Sequence, residues 1–214
     1  MKVAIWSQPD EVEAVLARLG LAVAPLQVAV NRGYLAAISR TANDAPNAAG
    51  FYQWNETLRA LREELAEFGF TRANTRGYST ARRSDKRMAI AVSSGDEATG
   101  LALANPSTKQ VKGPCTVAAV SSNAAQLELF PDAVLMPPPV ADDEVESLTW
   151  ILLFHASGTE LRAELSLPVT MDECGQIRTW RERIILPTQP LDTGVTIPEP
   201  DFGPEVEIEI QRRA

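Results

Sequence analysis

Histidine and cysteine are nearly missing from this chain: 214 residues hold one histidine, His155, and two cysteines, Cys115 and Cys174. Such a set cannot build a structural zinc cluster, which takes four nitrogen or sulfur ligands. The two cysteines lie far apart in no paired motif, which suits a reducing compartment where they act as small core hydrophobes or idle thiols. Long apolar runs are missing as well. The longest, Leu148 to Ala156, falls far short of the ~20 residues a membrane helix needs and reads as a buried strand. The start meets Pro9, Asp10, Glu11 and Glu13 before a signal-peptide core can form. A soluble, cytoplasmic protein with no membrane contact is expected.

Nucleotide and metal signatures are also lacking. The loop SSGDEATG (Ser93 to Gly100) follows an expected strand, but it has neither the GK[ST] ending of a P-loop nor the G-x-G-x-x-G spacing. Its Asp96 and Glu97 would repel a phosphate. Asp142, Asp143, Glu144 and Glu146 lie together in a proline-rich stretch and read as a solvated acidic linker, with a carboxylate cation site as the alternative. No cofactor and no metal is expected. His155 near a strand end reads as a hydrogen-bonded ring, with general-base work as the alternative.

What is present is an ordinary globular composition, 45% hydrophobic and 22% charged, with a formal net charge of −8. That acidity argues against the whole protein lying along nucleic acid. Its distribution is uneven. Arg72 to Arg87 holds six basic residues and one acid, a local net of +5, so the remainder carries −13.

Residues 1–70 read as helical. Val12, Val15, Leu16 and Leu19 recur at helical spacing before Gly20, and a second helix is expected from about Leu26 to Ser39. A third is expected from Asn55, as N-cap, to Phe68, with Gly69 closing it. Residues 71–130 read as a basic connector with short strands at Arg87 to Ser93, Leu101 to Ala104 and Val117 to Val120. Residues 131–147 read as a proline-rich acidic linker or long loop, since proline lacks the N–H that a helix interior or central strand requires. Residues 148–214 read as an antiparallel meander. In it Leu161, Ala163, Leu165 and Leu167 share one face, the inward face of Ile177 to Ile184 is ambiguous, and Val206, Ile208 and Ile210 mark a last strand. All four segments together can form one domain. The expected class is α+β, N-terminal helices followed by a mostly antiparallel sheet.

Two features point to function. Residues Gln126 to Phe130 read QLELF. This resembles the bacterial sliding-clamp-binding pentapeptide, favoured as Gln-Leu, then Ser or Asp, then Leu-Phe. The resemblance implies that Gln126 bonds at a pocket rim while Leu127, Leu129 and Phe130 fill apolar sub-pockets, with Glu128 facing solvent. It covers five residues and implies nothing about the fold. A motif of this kind works only if the segment is free to leave its own protein. The alternative reading makes Leu127, Leu129 and Phe130 inward residues of an ordinary strand.

The second feature is the basic segment, in which Arg72, Arg76, Arg82, Arg83, Lys86 and Arg87 can neutralise phosphates and Tyr78 can stack on an unpaired base. Its arginines can instead pair with Glu63, Glu64 and Glu67. The leading expectation is therefore a non-enzymatic accessory protein of bacterial DNA metabolism, mobile-element encoded, which docks on the sliding clamp and touches DNA or another acidic partner. The alternatives are a protein-interaction, inhibitor or assembly subunit unrelated to DNA, and an enzyme built on SSGDEATG and His155.

Overall fold

Apolar alternation over the last third of the chain builds the centre of the sheet, and the helices pack around it. The computed structural model describes residues 3–75, 77–83, 85, 88–129 (Leu129 by its backbone) and 147–191. Among the described residues four helices accompany a mixed, mostly antiparallel sheet of eight strands, the α+β class that the sequence implies. The strands are β1 (Ala4–Trp6), β2 (Thr71–Thr75), β3 (Tyr78–Arg83), β4 (Met88–Ser94), β5 (Leu148–Ala156), β6 (Glu160–Met171), β7 (Ile177–Ile185) and β8 (Gln189–Pro190). Their order is β1-β7-β6-β5-β4-β3-β2, with β8 paired to β6. Two pairings are parallel, β1 with β7 and β4 with β5.

Helices α1 (Pro9–Arg18), α2 (Val23–Ile38) and α3 (Ala48–Glu64) precede β2. The third begins seven residues before the expected Asn55, because the small residues Ala48 and Ala49 are buried and extend the helix backwards. Gly69, at φ 80°, closes the short 3-10 turn that follows α3. Gly33 allows α2 and α3 to approach closely. A Cβ there would collide with the Thr57 hydroxyl and stand 2.7 Å from the Gln53 carbonyl oxygen. Arg32 of α2 binds Glu56 at 2.9 Å and Glu63 at 2.8 Å, so α2 supplies a cation to the acidic face of α3.

The helices are not all N-terminal. Residues 114–129 form α4 (Pro114–Leu129), which replaces the expected strand at Val117 to Val120. Its buried positions are Val120, Asn123 and Leu127. The Asn123 amide donates to the Thr149 carbonyl at 2.8 Å and the Pro168 carbonyl at 3.0 Å, and its oxygen accepts from Thr149 N–H at 2.8 Å. A fully satisfied polar side chain thus ties α4 to the sheet.

Strand β5 feeds two cores, as period-2 alternation requires. Trp150, Leu152 and Phe154 join the larger cluster, with Leu16, Leu26 and Leu61 from α1, α2 and α3, and Leu161, Ala163, Leu165 and Leu167 enter the same cluster. Ile151 and Leu153 join a smaller one with Val120, Ile177 and Trp180. Each such large side chain contributes about 1.5–3 kcal/mol on burial. Register shifts around Pro168 change the parity of β6 against β7, which is why β7 shows no single inward face.

The basic connector is a hairpin, β2 and β3 joined through residues 76 and 77, with Gly77 at φ 82°. Residues 101–104 form turns instead of a strand. The segment 131–146 and the final alternating tail lie outside the described residues.

Candidate functional site

The β3–β4 ladder is short. It pairs Ala81 with Ile90, Arg82 with Ala89 and Arg83 with Met88, and stops there. The same register carried further would set Tyr78 opposite Ser93. Instead the strands part, and Arg62 of α3 donates to the Thr80 carbonyl at 3.1 Å. A cleft of about 190 Å³ occupies the gap, lined by Trp54, Gly77, Tyr78, Ser93, Lys112 and Thr116 among others.

Ser93 enters the cleft near the C-terminal end of β4. It stands opposite Leu153 of the parallel strand β5, on the side of the smaller core cluster. Helix α4 begins two residues after Lys112, so the site occupies the mouth of a strand–helix–strand unit. Parallel strands and the helices that connect them commonly receive ligands at this end.

Lys112 reaches the cleft because the 95–113 loop is bonded down along its length. The loop opens with Asp96, whose carboxylate accepts from Ala98 N–H at 3.1 Å and Ser107 N–H at 3.0 Å. Trp180 Nε1 donates to the Pro106 carbonyl at 2.9 Å, and Gln176 Nε2 donates to the Thr108 carbonyl at 3.0 Å. Lys109 N–H donates to the Ser94 carbonyl at 3.0 Å, and Lys112 N–H to the Gly175 carbonyl at 2.9 Å. Asp96 therefore organises its own loop.

Under the loop lies an ion pair with side chains 1% and 0% exposed, Arg183 with Glu164. Arg183 Nη2 and Nε donate to the two carboxylate oxygens at 2.6 and 3.0 Å. The same carboxylate accepts from Gly100 N–H at 2.9 Å and from the Ser166 hydroxyl at 2.6 Å. Arg183 also donates to the Ala104 carbonyl at 2.6 Å and the Leu101 carbonyl at 3.1 Å. This network fixes the loop to β6 and β7.

Within the cleft Lys112 Nζ donates to Ser93 Oγ at 2.6 Å. Burial pulls the lysine pKa down to about 8, because low-dielectric surroundings penalise the ammonium form. No carboxylate lines the cleft among the described residues. The Tyr78 hydroxyl is buried without an aligned hydrogen-bond partner. Burial pushes its pKa up to about 12, with the Thr116 side chain offsetting part of the rise and Cys115 adding to it. The side chains that meet here are thus one unpaired cation and several hydroxyls, at the N-terminal end of α4.

No family model, curated protein or solved structure matches the chain.

Of the described sequence-derived candidates, Ser93 at the start of SSGDEATG and Tyr78 line the cleft. Gln126 to Leu129 form the last turn of α4, and Leu127, 9% exposed, belongs to the larger core cluster. Phe130 and the Leu129 side chain lie outside the described residues. Releasing this turn to dock elsewhere would forfeit the burial of Leu127.

In the basic segment Arg72 and Arg82 are exposed on the hairpin, while Arg76, Lys86 and Arg87 lie outside the described residues. Arg83 turns inward, to Asp85 at 2.8 Å, to the Gly20 carbonyl at 3.1 Å and over the Phe70 ring. Tyr78 instead lines the cleft, with its hydroxyl buried. His155 faces the Gly95 carbonyl at 3.4 Å, and burial lowers its pKa. Among the described residues no group of three or more His, Cys, Asp or Glu could hold a metal ion, and no single helix is long and apolar enough to cross a membrane.

Sequence reasoning missed Lys112. The one available signal was that SSGDEATG begins with Ser93. Its partner lies nineteen positions later and meets it only through the folded loop.

Proposed function

We propose that this protein binds a small ligand by a phosphate or carboxylate group seated against Lys112. The observation that carries this reading is a largely buried lysine whose partner is a neutral hydroxyl, in a cleft whose described lining holds no carboxylate. An ammonium without a counter-charge is costly to bury. An arriving anion offsets that penalty and stabilises the charged form. Ser93, Thr116 and Tyr78 offer hydroxyl donors, and the α4 N-terminus adds the favourable end of a helix dipole. A volume of about 190 Å³ fits a head group, not a whole cofactor.

Calorimetric titration with inorganic phosphate, and separately with acetate, tests this. At least one anion binds the native protein and is weakened ~10–100-fold by Lys112→Met, the loss expected for a charge-assisted hydrogen bond. Arg82→Ala, remote from the cleft, leaves the affinity unchanged. Failure of both anions to bind, or equal binding by Lys112→Met, overturns the proposal.

A further inference from the structure

We infer that Ser93 is a nucleophile activated by Lys112, so that the cleft accepts an acyl or phosphoryl group covalently. This goes beyond anion binding: it uses the same lysine but asks for its neutral form. Three observations carry it. The first is the 2.6 Å separation between Nζ and Oγ, within reach for direct proton transfer. The second is the position of Ser93, 5% exposed, in the cleft wall near the end of β4. The third is the lining that Ser93 shares with Thr116 and Tyr78, beside the N-terminal end of α4, which brings further hydroxyl donors into the same cleft.

In the resting arrangement Nζ donates to Oγ, and the Ser93 hydroxyl donates to the Ser94 carbonyl at 3.0 Å. Once the amine is neutral, rotation about the Cβ–Oγ bond turns the hydroxyl proton towards the Nζ lone pair. The step then balances as follows. Oγ attacks an acyl carbon, its proton moves to Nζ, and the carbonyl electron pair passes to oxygen. Collapse of this intermediate expels the leaving group, which takes the proton from Nζ and leaves acyl-Ser93 and a neutral amine. Water attacks the acyl carbon with the same lysine as base, the Cβ-side oxygen leaves with the proton returned, and a carboxylic acid and free Ser93 result. Lysine is suited to this work because burial without a carboxylate partner favours the unprotonated form. The other titratable groups facing it are Tyr78 of β3 and, beside Tyr78, Cys115 of α4.

A small ethoxy fluorophosphonate provides the test, because its reaction is a single displacement. The Oγ–P bond forms, the P–F bond breaks, fluoride leaves and the proton stays on Nζ. Intact-mass measurement followed by peptide mapping is expected to find one adduct, on Ser93, absent from Ser93→Ala. Labelling is slowed ~100-fold or more in Lys112→Met, the scale of general-base assistance, while in the native protein it accelerates as pH rises through about 8. No adduct, an adduct on Tyr78 or Cys115 only, or equal labelling of Lys112→Met overturns the inference. Unlabelled protein that still binds phosphate removes the nucleophile and leaves the anion seat standing. Labelled protein that binds neither phosphate nor acetate does the reverse.

Discussion

Replacing Lys112 with methionine stabilises the protein at pH 7, although it removes a hydrogen bond. Folding lowers the lysine pKa from 10.5 to about 8, a penalty on the order of 3 kcal/mol for the charged form. Below pH 8 both folded and unfolded chains carry the proton, and the full penalty applies. Between pH 8 and 10.5 the unfolded chain binds more protons than the folded one, so native stability rises with pH across this window. Methionine fills similar space without charge, and the bond lost to Ser93 is worth only ~1 kcal/mol. Urea denaturation at pH 7 is therefore expected to show Lys112→Met more stable by about 2–3 kcal/mol, the gap closing by about pH 10. A residue kept against its effect on stability marks a functional position. Destabilisation by Lys112→Met at pH 7 would instead make the lysine an ordinary structural contact.

The opposite sign is expected beneath the loop. Arg183→Met alone leaves Glu164 buried with only Gly100 N–H and the Ser166 hydroxyl, and Glu164→Leu alone leaves Arg183 with two carbonyls. Each single change is expected to destabilise by ~3–5 kcal/mol, because it strands one buried charge. The double variant is expected to be less destabilised than the sum of the two single changes, since neither charge is left without the other. It stays below the native protein because the Ala104 and Leu101 carbonyls, the Gly100 N–H and the Ser166 hydroxyl lose their partners. A double-mutant cycle in urea measures both terms. Additive effects of the two single changes would show that the pair is not coupled as the geometry requires.

These two sites differ in how they could have been read from sequence. Strand β5 was legible as the longest apolar run and β6 by its alternation, β7 was legible as a strand but not in its inward face, and α1 was legible because Val12, Val15 and Leu16 form a helical stripe. Helix α4 was not. Its buried positions, Val120, Asn123 and Leu127, have helical spacing, but a polar residue sits in the middle. Asn123 is acceptable there only because Thr149 and Pro168 supply backbone partners from distant strands. The hairpin β2–β3 was hidden by its arginines, although Thr71, Thr75 and Thr80 suit a strand and Gly77 suits the turn.

The ion pair was invisible for a related reason. Arg183 and Glu164 occupy ordinary-looking places in alternating segments, and they become buried only because the 95–113 loop lies over them. Lys112 carries no local signature either. Its lowered pKa comes from desolvation in a cleft beside the short β3–β4 ladder, both properties of the folded chain.

The most direct measurement is an NMR titration of the Lys112 side-chain amine, with and without inorganic phosphate. A pKa of about 8 in the free protein, rising by ~1 unit or more once phosphate binds, follows from an ammonium that lacks a counter-charge until an anion supplies it. A lysine that titrates at its ordinary value near 10.5, or one that phosphate leaves unmoved, would contradict it.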